Sequence, residues 1–450
     1  MVKYIQVNGD FMKTKSRVKK ITPYFYVMIS FLIVVLIGTL LLFLPISKKE
    51  GSLSFLDALF TSISATCVTG LAVVPICDLS IFGRIVICIL IEIGGLSFLT
   101  IAIFVLVILG KRLSIGSRFM MKEALNQNSA SDIVPLIKRI VTISFSIQFV
   151  FMIINFVIFL LSGFNVLTSL EYSIFHTISA FNNAGFDIFG YDSMISFSTN
   201  IALNISTMVL IVLGGLGFIV YIDIFNFKKR YFHFHTKVVL TMSLVLIVAG
   251  TLILKLLMGS EITWLEAMFT SITTRTAGFT TIDLSEIAIK PVFMILLILM
   301  FIGASPCSTG GGIKTTTFFT MFVAIIYMAI GKKPKAFHRR ISTDSILKAF
   351  TLSTIAIFYC IVVTFLIHAS LASSGISISD VAFEVVSAFG TVGLSTGITP
   401  SLNAFSKIVI GITMFIGRLG PLTIVSIWNR NWMKNTNSEV DYIEERIMIG

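Results

Sequence analysis

Charge is what this sequence has least of. Only 12% of its 450 residues are Asp, Glu, Lys or Arg, while 56% are hydrophobic and the mean hydropathy is +0.97. Soluble domains carry about 25% charge. A chain this apolar cannot cover a water-facing surface, which excludes an ordinary soluble enzyme. Cysteine is sparse as well. Cys67, Cys77, Cys88, Cys307 and Cys360 make an odd count with no CxxC spacing, which argues against a disulfide framework and against a zinc site. No HExxH motif or His/Cys cluster points to metal catalysis, and nothing resembles a nucleophilic triad, so the chain reads as a non-enzyme. A cleavable signal peptide is not expected either, because the apolar run at 24–46 is too long for one and reads as a retained membrane span. The net charge of +12 remains to be explained. In a soluble protein it would suggest nucleic acid.

Apolar runs long enough to cross a bilayer number eight: 24–46, 82–109, 140–162, 199–227, 238–258, 291–331, 349–370 and 404–428. The sixth is abnormal. A helix of that length would extend about 60 Å, twice the hydrocarbon thickness. It contains Pro306 and the run Gly310-Gly311-Gly312, which cannot hold a regular helix. Two half-helices joined by a polar loop at membrane depth are therefore expected. Such a loop survives only where protein buries it or water lines it.

Between the spans of each pair lies a shorter segment, and these segments repeat. They read FTSISATCVTGL (60–71), FHTISAFNNAGF (175–186), FTSITTRTAGF (269–279) and FEVVSAFGTVGL (383–394). Upstream sit Ser54-x-x-Asp57, Thr168-x-x-Glu171, Thr263-x-x-Glu266 and Ser377-x-x-Asp380, a capping-box pattern for a helix N-terminus. A capped helix of about ten residues covers about 15 Å, half a bilayer, so each segment enters the membrane and returns. The expected fold is all-α and integral to the membrane. Eight transmembrane helices form four span–re-entrant helix–span repeats around one central pore: 24–109, 140–227, 238–331 with its broken second span, and 349–428. Residues 1–23 and 429–450 are terminal segments.

The charges now find their place. Of the 34 lysines and arginines, 25 lie at the termini and between repeats, in 1–23, 110–139, 228–237, 332–348 and beyond 428. Of the 22 acids, 14 lie elsewhere. The positive-inside rule puts both termini and the inter-repeat loops in the cytoplasm, so the short helices enter from outside. Nucleic acid is not needed.

A short helix entering from outside aims its partially negative C-terminus at the membrane centre, which favours a cation there. The strip after each helix offers backbone carbonyls: Val68-Thr69-Gly70, Asn183-Ala184-Gly185, Thr276-Ala277-Gly278 and Thr391-Val392-Gly393. Glycine tolerates positive φ and lets a carbonyl turn inward. Four such strips around an axis would give rings of oxygens that replace a cation's hydration shell. Thr391-Val392-Gly393 looks like the core of the potassium-channel filter signature.

These strips, the run Gly310-Gly311-Gly312-Ile313-Lys314-Thr315-Thr316-Thr317, and Gly417-Arg418-Leu419-Gly420-Pro421-Leu422-Thr423 carry a family resemblance. Over nearly its full length the chain resembles the Trk/Ktr/HKT superfamily of cation transporters, and within it the membrane subunits of bacterial Ktr potassium uptake systems. Trk-type subunits generally carry two further N-terminal spans, and the lack of them here favours the Ktr branch. The resemblance implies potassium transport in a bacterial plasma membrane, a homodimer with one pore per protomer, and a cytosolic ring of nucleotide-binding regulatory subunits. Sodium coupling, as in a symporter, stays open. Plant relatives with serine at the first filter glycine transport sodium, so glycine in all four strips implies potassium preference. The departure of the first three strips from TVG implies looser selectivity than in a tetrameric channel. Residues 303–317 resemble the family's gating loop, with Gly310, Gly311, Gly312 and Lys314 at its centre. By the resemblance Arg418 faces the pore below the filter. An arginine within an apolar span costs roughly 2.5–3.5 kcal/mol on insertion scales and is normally paired or lines water. The alternative reading is an alternating-access cation symporter with a midplane site.

Other charged groups carry smaller expectations. Arg275 should turn behind the filter and pair with an acid such as Glu266 or Asp283. Asp187 and Asp283 can concentrate cations at the mouth. Glu92, within a span, should meet a group that supports the filter. His233 and His235 read as solvated residues of a basic loop.

Overall fold

In hydrocarbon every backbone N–H and C=O must be satisfied within its own segment, so apolar runs become helices. The computed structural model describes residues 4–7, 10–13, 23–97, 133–190, 192–225, 232–284, 290–372 and 374–420, with isolated positions between 100 and 107. The basic stretch 108–132 and the C-terminal segment 421–450, with its part of the expected last span and cytoplasmic tail, lie outside the described residues. The fold is mostly helical. The exceptions are two small antiparallel pairs, Tyr4–Val7 with Asp10–Lys13 and Lys335–Ala336 with Arg339–Arg340.

Four helices among the described residues are long and apolar enough to cross a membrane. They belong to α1 (Pro23–Phe43), α4 (Ile133–Leu161), α8 (Phe234–Met258) and α12 (Thr343–Ser370). Each is followed by a short helix: α2 (Phe55–Thr66), α5 (Val166–Phe181), α9 (Trp264–Thr273) and α13 (Ile378–Gly390). Three short helices start where the capping pattern puts them. Ser54, Thr263 and Ser377 accept the N–H of Asp57, Glu266 and Asp380, and Thr263 with Glu266 completes a reciprocal capping box. The second does not. Asn165 caps α5 through the Thr168 N–H, so α5 begins a turn earlier than Thr168 implied. Glu171 is thereby released from capping and pairs with Arg84 at 2.5 Å.

The short helices pack on the long ones through small residues. Ser62 on α2 donates to the Val35 carbonyl on α1, and a Cβ at Gly38 would lie well under 3.0 Å from the Ser62 hydroxyl. Ser271 on α9 and Gly250 on α8 repeat the arrangement. Without a hydrophobic difference between helix and lipid, such close approach is what holds membrane helices together.

The third helices of the series are truncated: α3 (Ile81–Leu96), α6 (Ile201–Leu216), α10 (Lys290–Phe301) and α14 (Ala404–Leu419). Sixteen residues extend about 24 Å, short of a full crossing. The expectation of one broken span is corrected here, because the break recurs. α3, α6 and α14 stop at Ser97, Gly217 and Gly420, whose φ angles are 70°, 91° and 82°. The uninterrupted spans expected at 82–109 and 199–227 do not exist. After Gly217 the chain turns by 95° into α7 (Phe218–Ile224). After α10 it forms the irregular segment 302–314 before α11 (Thr315–Ala329). The physical signal is local. Gly94-Gly95-Leu96-Ser97, Gly214-Gly215-Leu216-Gly217 and Gly417-Arg418-Leu419-Gly420 each end on a residue that takes a left-handed conformation.

Candidate ion-conduction site

The four strips have one backbone geometry. Their first residues, Val68, Asn183, Thr276 and Thr391, take φ of 58°, 58°, 77° and 49°. Their glycines, Gly70, Gly185, Gly278 and Gly393, take 94°, 69°, 82° and 92°. A left-handed residue at each end of a three-residue strip turns successive carbonyls toward the same side. Four non-glycine residues, three β-branched and one amide, held at positive φ store strain of the kind that clusters at functional sites.

The strips also meet in a cycle. A Cβ at Gly70 would strike the Ala184 carbonyl oxygen, one at Gly185 the Ala277 oxygen, one at Gly278 the Val392 oxygen, and one at Gly393 the Thr69 oxygen. All four approaches lie under 3.0 Å. Strip one thus touches two, two touches three, three touches four, and four returns to one. The oxygens of the four middle residues sit in one closed ring, with no room for any side chain at the glycines.

On one side of the ring is a cavity of about 350 Å³, walled by the four glycines and by Asp187, Thr280, Ser395 and Thr399. Burial pushes the half-buried Asp187 carboxyl up to about 6, against hydrogen bonds from the Ser193 side chain and the Phe189 amide that pull it down. Its charge is present above pH 6 and lost below. Cation uptake from dilute medium is expected to fall as external pH drops from 7.5 to 5.5, and Asp187→Asn is expected to abolish that fall. A pH profile unchanged by the substitution would remove Asp187 from the mouth's electrostatics.

On the other side lies the segment 302–314. Gly311 N–H donates to the Thr391 hydroxyl at 2.9 Å, and a Cβ at Gly310 would collide with the Thr276 hydroxyl. Two of the strips thus rest directly on this loop. Its backbone groups find partners at the truncated helices: Ser305 N–H donates to the Gly215 carbonyl, and the Cys307 carbonyl accepts from Phe218 N–H. The breaks in α6 and α10 therefore satisfy each other's freed backbone groups, which is the condition for irregular chain at membrane depth. Gly312, at φ 69°, lies against Gly303 and Gly390. Lys314 turns back on the loop and donates to the Gly310 carbonyl at 2.8 Å.

Arg418 is the clasp. Its guanidinium donates to the Thr309 carbonyl of the loop and to the Gly94 carbonyl of α3, and to the Gly95 carbonyl at 3.0 Å. One side chain on α14 thus joins the loop to the frayed end of α3. The Gly94-Gly95 doublet accepts these bonds because a truncated helix leaves its last carbonyls without partners.

Two expectations change, and Glu92 finds its partners. Arg275 does turn behind the ring and is 8% exposed, but its partners are the Ser243 carbonyl and hydroxyl on α8, both at 3.3 Å. Glu266 is occupied at the far end of α9 by the capping box. Glu92 accepts from Gln148 at 3.1 Å and from Asn182 at 2.7 Å. Asn182 directly precedes the second strip, so the carboxylate holds the strip's entrance. Replacing Glu92 by leucine orphans two buried donors, each at roughly 1–3 kcal/mol. Glu92→Leu is expected to lower the unfolding temperature of the purified protein well below that of Glu92→Gln, and equal values would deny the anchoring role. His233 bonds Asp223 at 2.7 Å, and His235 is half-buried, so neither is simply solvated.

Comparison with known proteins places the chain in a family. The family described as TrkH, cation transport protein, matches residues 9–429. The chain belongs to the TrkH family. Ktr system potassium uptake protein B of Bacillus subtilis (strain 168) is 37% identical over 446 residues, covering 96% of this chain and 97% of its own. The protein of the same description from Vibrio alginolyticus is 38% identical, covering 94% of each. Potassium/sodium uptake protein NtpJ of Enterococcus hirae is 36% identical, covering 98% of this chain and 99% of its own. Among solved structures, the potassium transporter TrkH from Vibrio parahaemolyticus superposes with a TM-score of 0.69 at 19% identity, covering 94% of this chain and 88% of that one. At that identity the likeness speaks for the fold.

Proposed function

We propose that this TrkH-family chain is the ion-conducting membrane subunit of a bacterial potassium uptake system. The observation that carries the reading is the closed cycle of four glycine-ended strips. Four inward carbonyls at one level replace part of the hydration shell of a potassium ion, and the glycines permit the close approach. The strip residues Val68 to Gly70, Asn183 to Gly185, Thr276 to Gly278 and Thr391 to Gly393 are the selectivity filter. Loop 302–314, with Gly310, Gly311, Gly312 and Lys314, is the gate beneath it, and Arg418 latches it. The relatives named for potassium uptake favour this cargo, and one named for potassium and sodium keeps sodium coupling within it.

The remaining parts of the reading follow. Eight membrane passages form four repeats, each with a re-entrant short helix, around the filter. The basic inter-repeat stretches face the cytoplasm, where a nucleotide-binding regulatory ring docks on a homodimer. Relatives named as parts of a Ktr system support partner subunits.

The test is rubidium uptake into proteoliposomes under an imposed potential, with and without sodium. Saturable rubidium flux that potassium competes for is expected. A rubidium flux that potassium does not compete for, or that Gly70→Ser and Gly393→Ser both leave unchanged, would remove the filter and favour the midplane symporter instead.

A further inference from the structure

The strips are tied from behind, and the ties differ. In a trans peptide unit the C=O of one residue and the N–H of the next point in opposite directions. Holding a filter N–H outward therefore aims the preceding carbonyl at the axis. In every strip the middle residue's amide is held by a backbone carbonyl of its own short helix: Thr69 by Ser64, Ala184 by Ser179, Ala277 by Thr273 and Val392 by Ser387, at 2.8 to 2.9 Å. These ties aim the first carbonyl of each strip.

The second carbonyl, the one in the closed ring, depends on the glycine amide. In strip one the Gly70 N–H donates to the Ser64 hydroxyl at 3.2 Å. In strip four the Gly393 N–H donates to the Ser387 hydroxyl at 3.1 Å. In strip three the Gly278 N–H reaches only the Thr273 carbonyl, at 3.4 Å. In strip two no bond to the Gly185 amide occurs among the described residues. A serine, Ser179, stands at the same offset of six from Gly185, yet its buried hydroxyl has no hydrogen-bond partner among the described residues. Strips one and four are adjacent in the cycle, so the anchored carbonyls of Thr69 and Val392 occupy one half of the ring and the looser ones of Ala184 and Ala277 the other.

We propose that the Ser64 and Ser387 hydroxyls are positioning groups that set the ring's discrimination between monovalent cations of different size. This rests on the filter reading above. A ring whose carbonyls cannot approach a small ion pays its dehydration poorly, so sodium is rejected only while the anchored half holds still. Releasing either amide lets its carbonyl close on a smaller ion. Both hydroxyls lie at 0% exposure, where no water replaces a lost tie.

The experiment compares Ser64→Ala, Ser387→Ala and Ser179→Ala in the full-length protein in proteoliposomes, with Gly393→Ser alongside. The readouts are the half-saturation concentration for rubidium, its maximal rate, and inhibition by sodium. Ser64→Ala and Ser387→Ala are each expected to raise rubidium half-saturation about fivefold and to make uptake sodium-sensitive, with the maximal rate kept. Ser179→Ala is expected to match the parent. Either serine variant suffices if the other fails to yield folded protein by size-exclusion chromatography. Unchanged sodium sensitivity in the folded Ser64 and Ser387 variants overturns the inference, as does an equal change in Ser179→Ala. If Gly393→Ser alone alters sodium sensitivity, the filter stands and the hydroxyl ties fall. If no variant alters it, the filter reading falls with them.

Discussion

Serine in place of Gly393 is expected to reduce potassium-over-sodium preference at least about tenfold, read as sodium inhibition of rubidium uptake. Two effects add. The backbone at this position has φ of 92°, a region in which left-handed geometry costs an L residue roughly 1–2 kcal/mol. The new Cβ would also fall well under 3.0 Å from the Thr69 carbonyl oxygen. Relief requires that strip one or strip four move outward, and either motion opens the ring at the contact between the last strip and the first. Gly51 provides the internal comparison. It too has positive φ, 74°, but nothing lies within 4 Å of a Cβ there. Gly51→Ser carries the backbone strain without the collision and is expected to leave uptake selectivity intact. Indistinguishable behaviour of the two variants would show that the ring contact does not set selectivity.

Arg418→Gln is expected to raise rubidium flux roughly tenfold in the absence of any regulatory partner. Hydrogen bonds to a charged donor contribute roughly 1.5–3 kcal/mol, and a shift of that size in a closed-to-open equilibrium is about a tenfold change or more in open population. Glutamine keeps one donor group but cannot reach the Thr309, Gly94 and Gly95 carbonyls together. The loop would keep its bonds to Gly215 and Thr391, so it loosens rather than unfolds. Removing the charge also lowers the barrier to a cation leaving the ring. Both effects act in the same direction. Unchanged rate and half-saturation would rule out both the latch and the barrier.

The strips are legible in the sequence because four copies share a terminal glycine, and glycine at a fixed offset from a helix signals a backbone that needs positive φ. The broken helix was readable because Pro306 and three glycines cannot be helical. The other breaks are not legible there. On either side of Ser97 and Gly217 the sequence stays apolar, and hydropathy measures length without sensing a turn. The recurrent Gly-Gly-Leu doublets were present in the sequence but carry meaning only once α3 and α6 are seen to end on them. Long-range partners were the least legible. Arg275 was assigned an acid because charges seek opposite charges in water, whereas in a buried site a carbonyl and a hydroxyl on α8 were nearer. Glu92 met Asn182, ninety residues away in the chain, and no local pattern announces such a pair.

The pair between Lys407 on α14 and Asp57 on α2, at 2.8 Å, joins residues 350 positions apart, and the contact of Gly393 with Thr69 likewise joins the last strip to the first. Synthesis at about 5–20 residues per second places roughly 20–70 s between the emergence of the two partners. Until then the first strip lacks the contact that the last one makes with it in the structure. Asp57 waits without its lysine, and the Thr69 carbonyl faces a gap that only the last quarter of the protein fills. A chain that ends before residue 393 lacks the contact that closes the ring, so the ring is complete only when the last strip has been made.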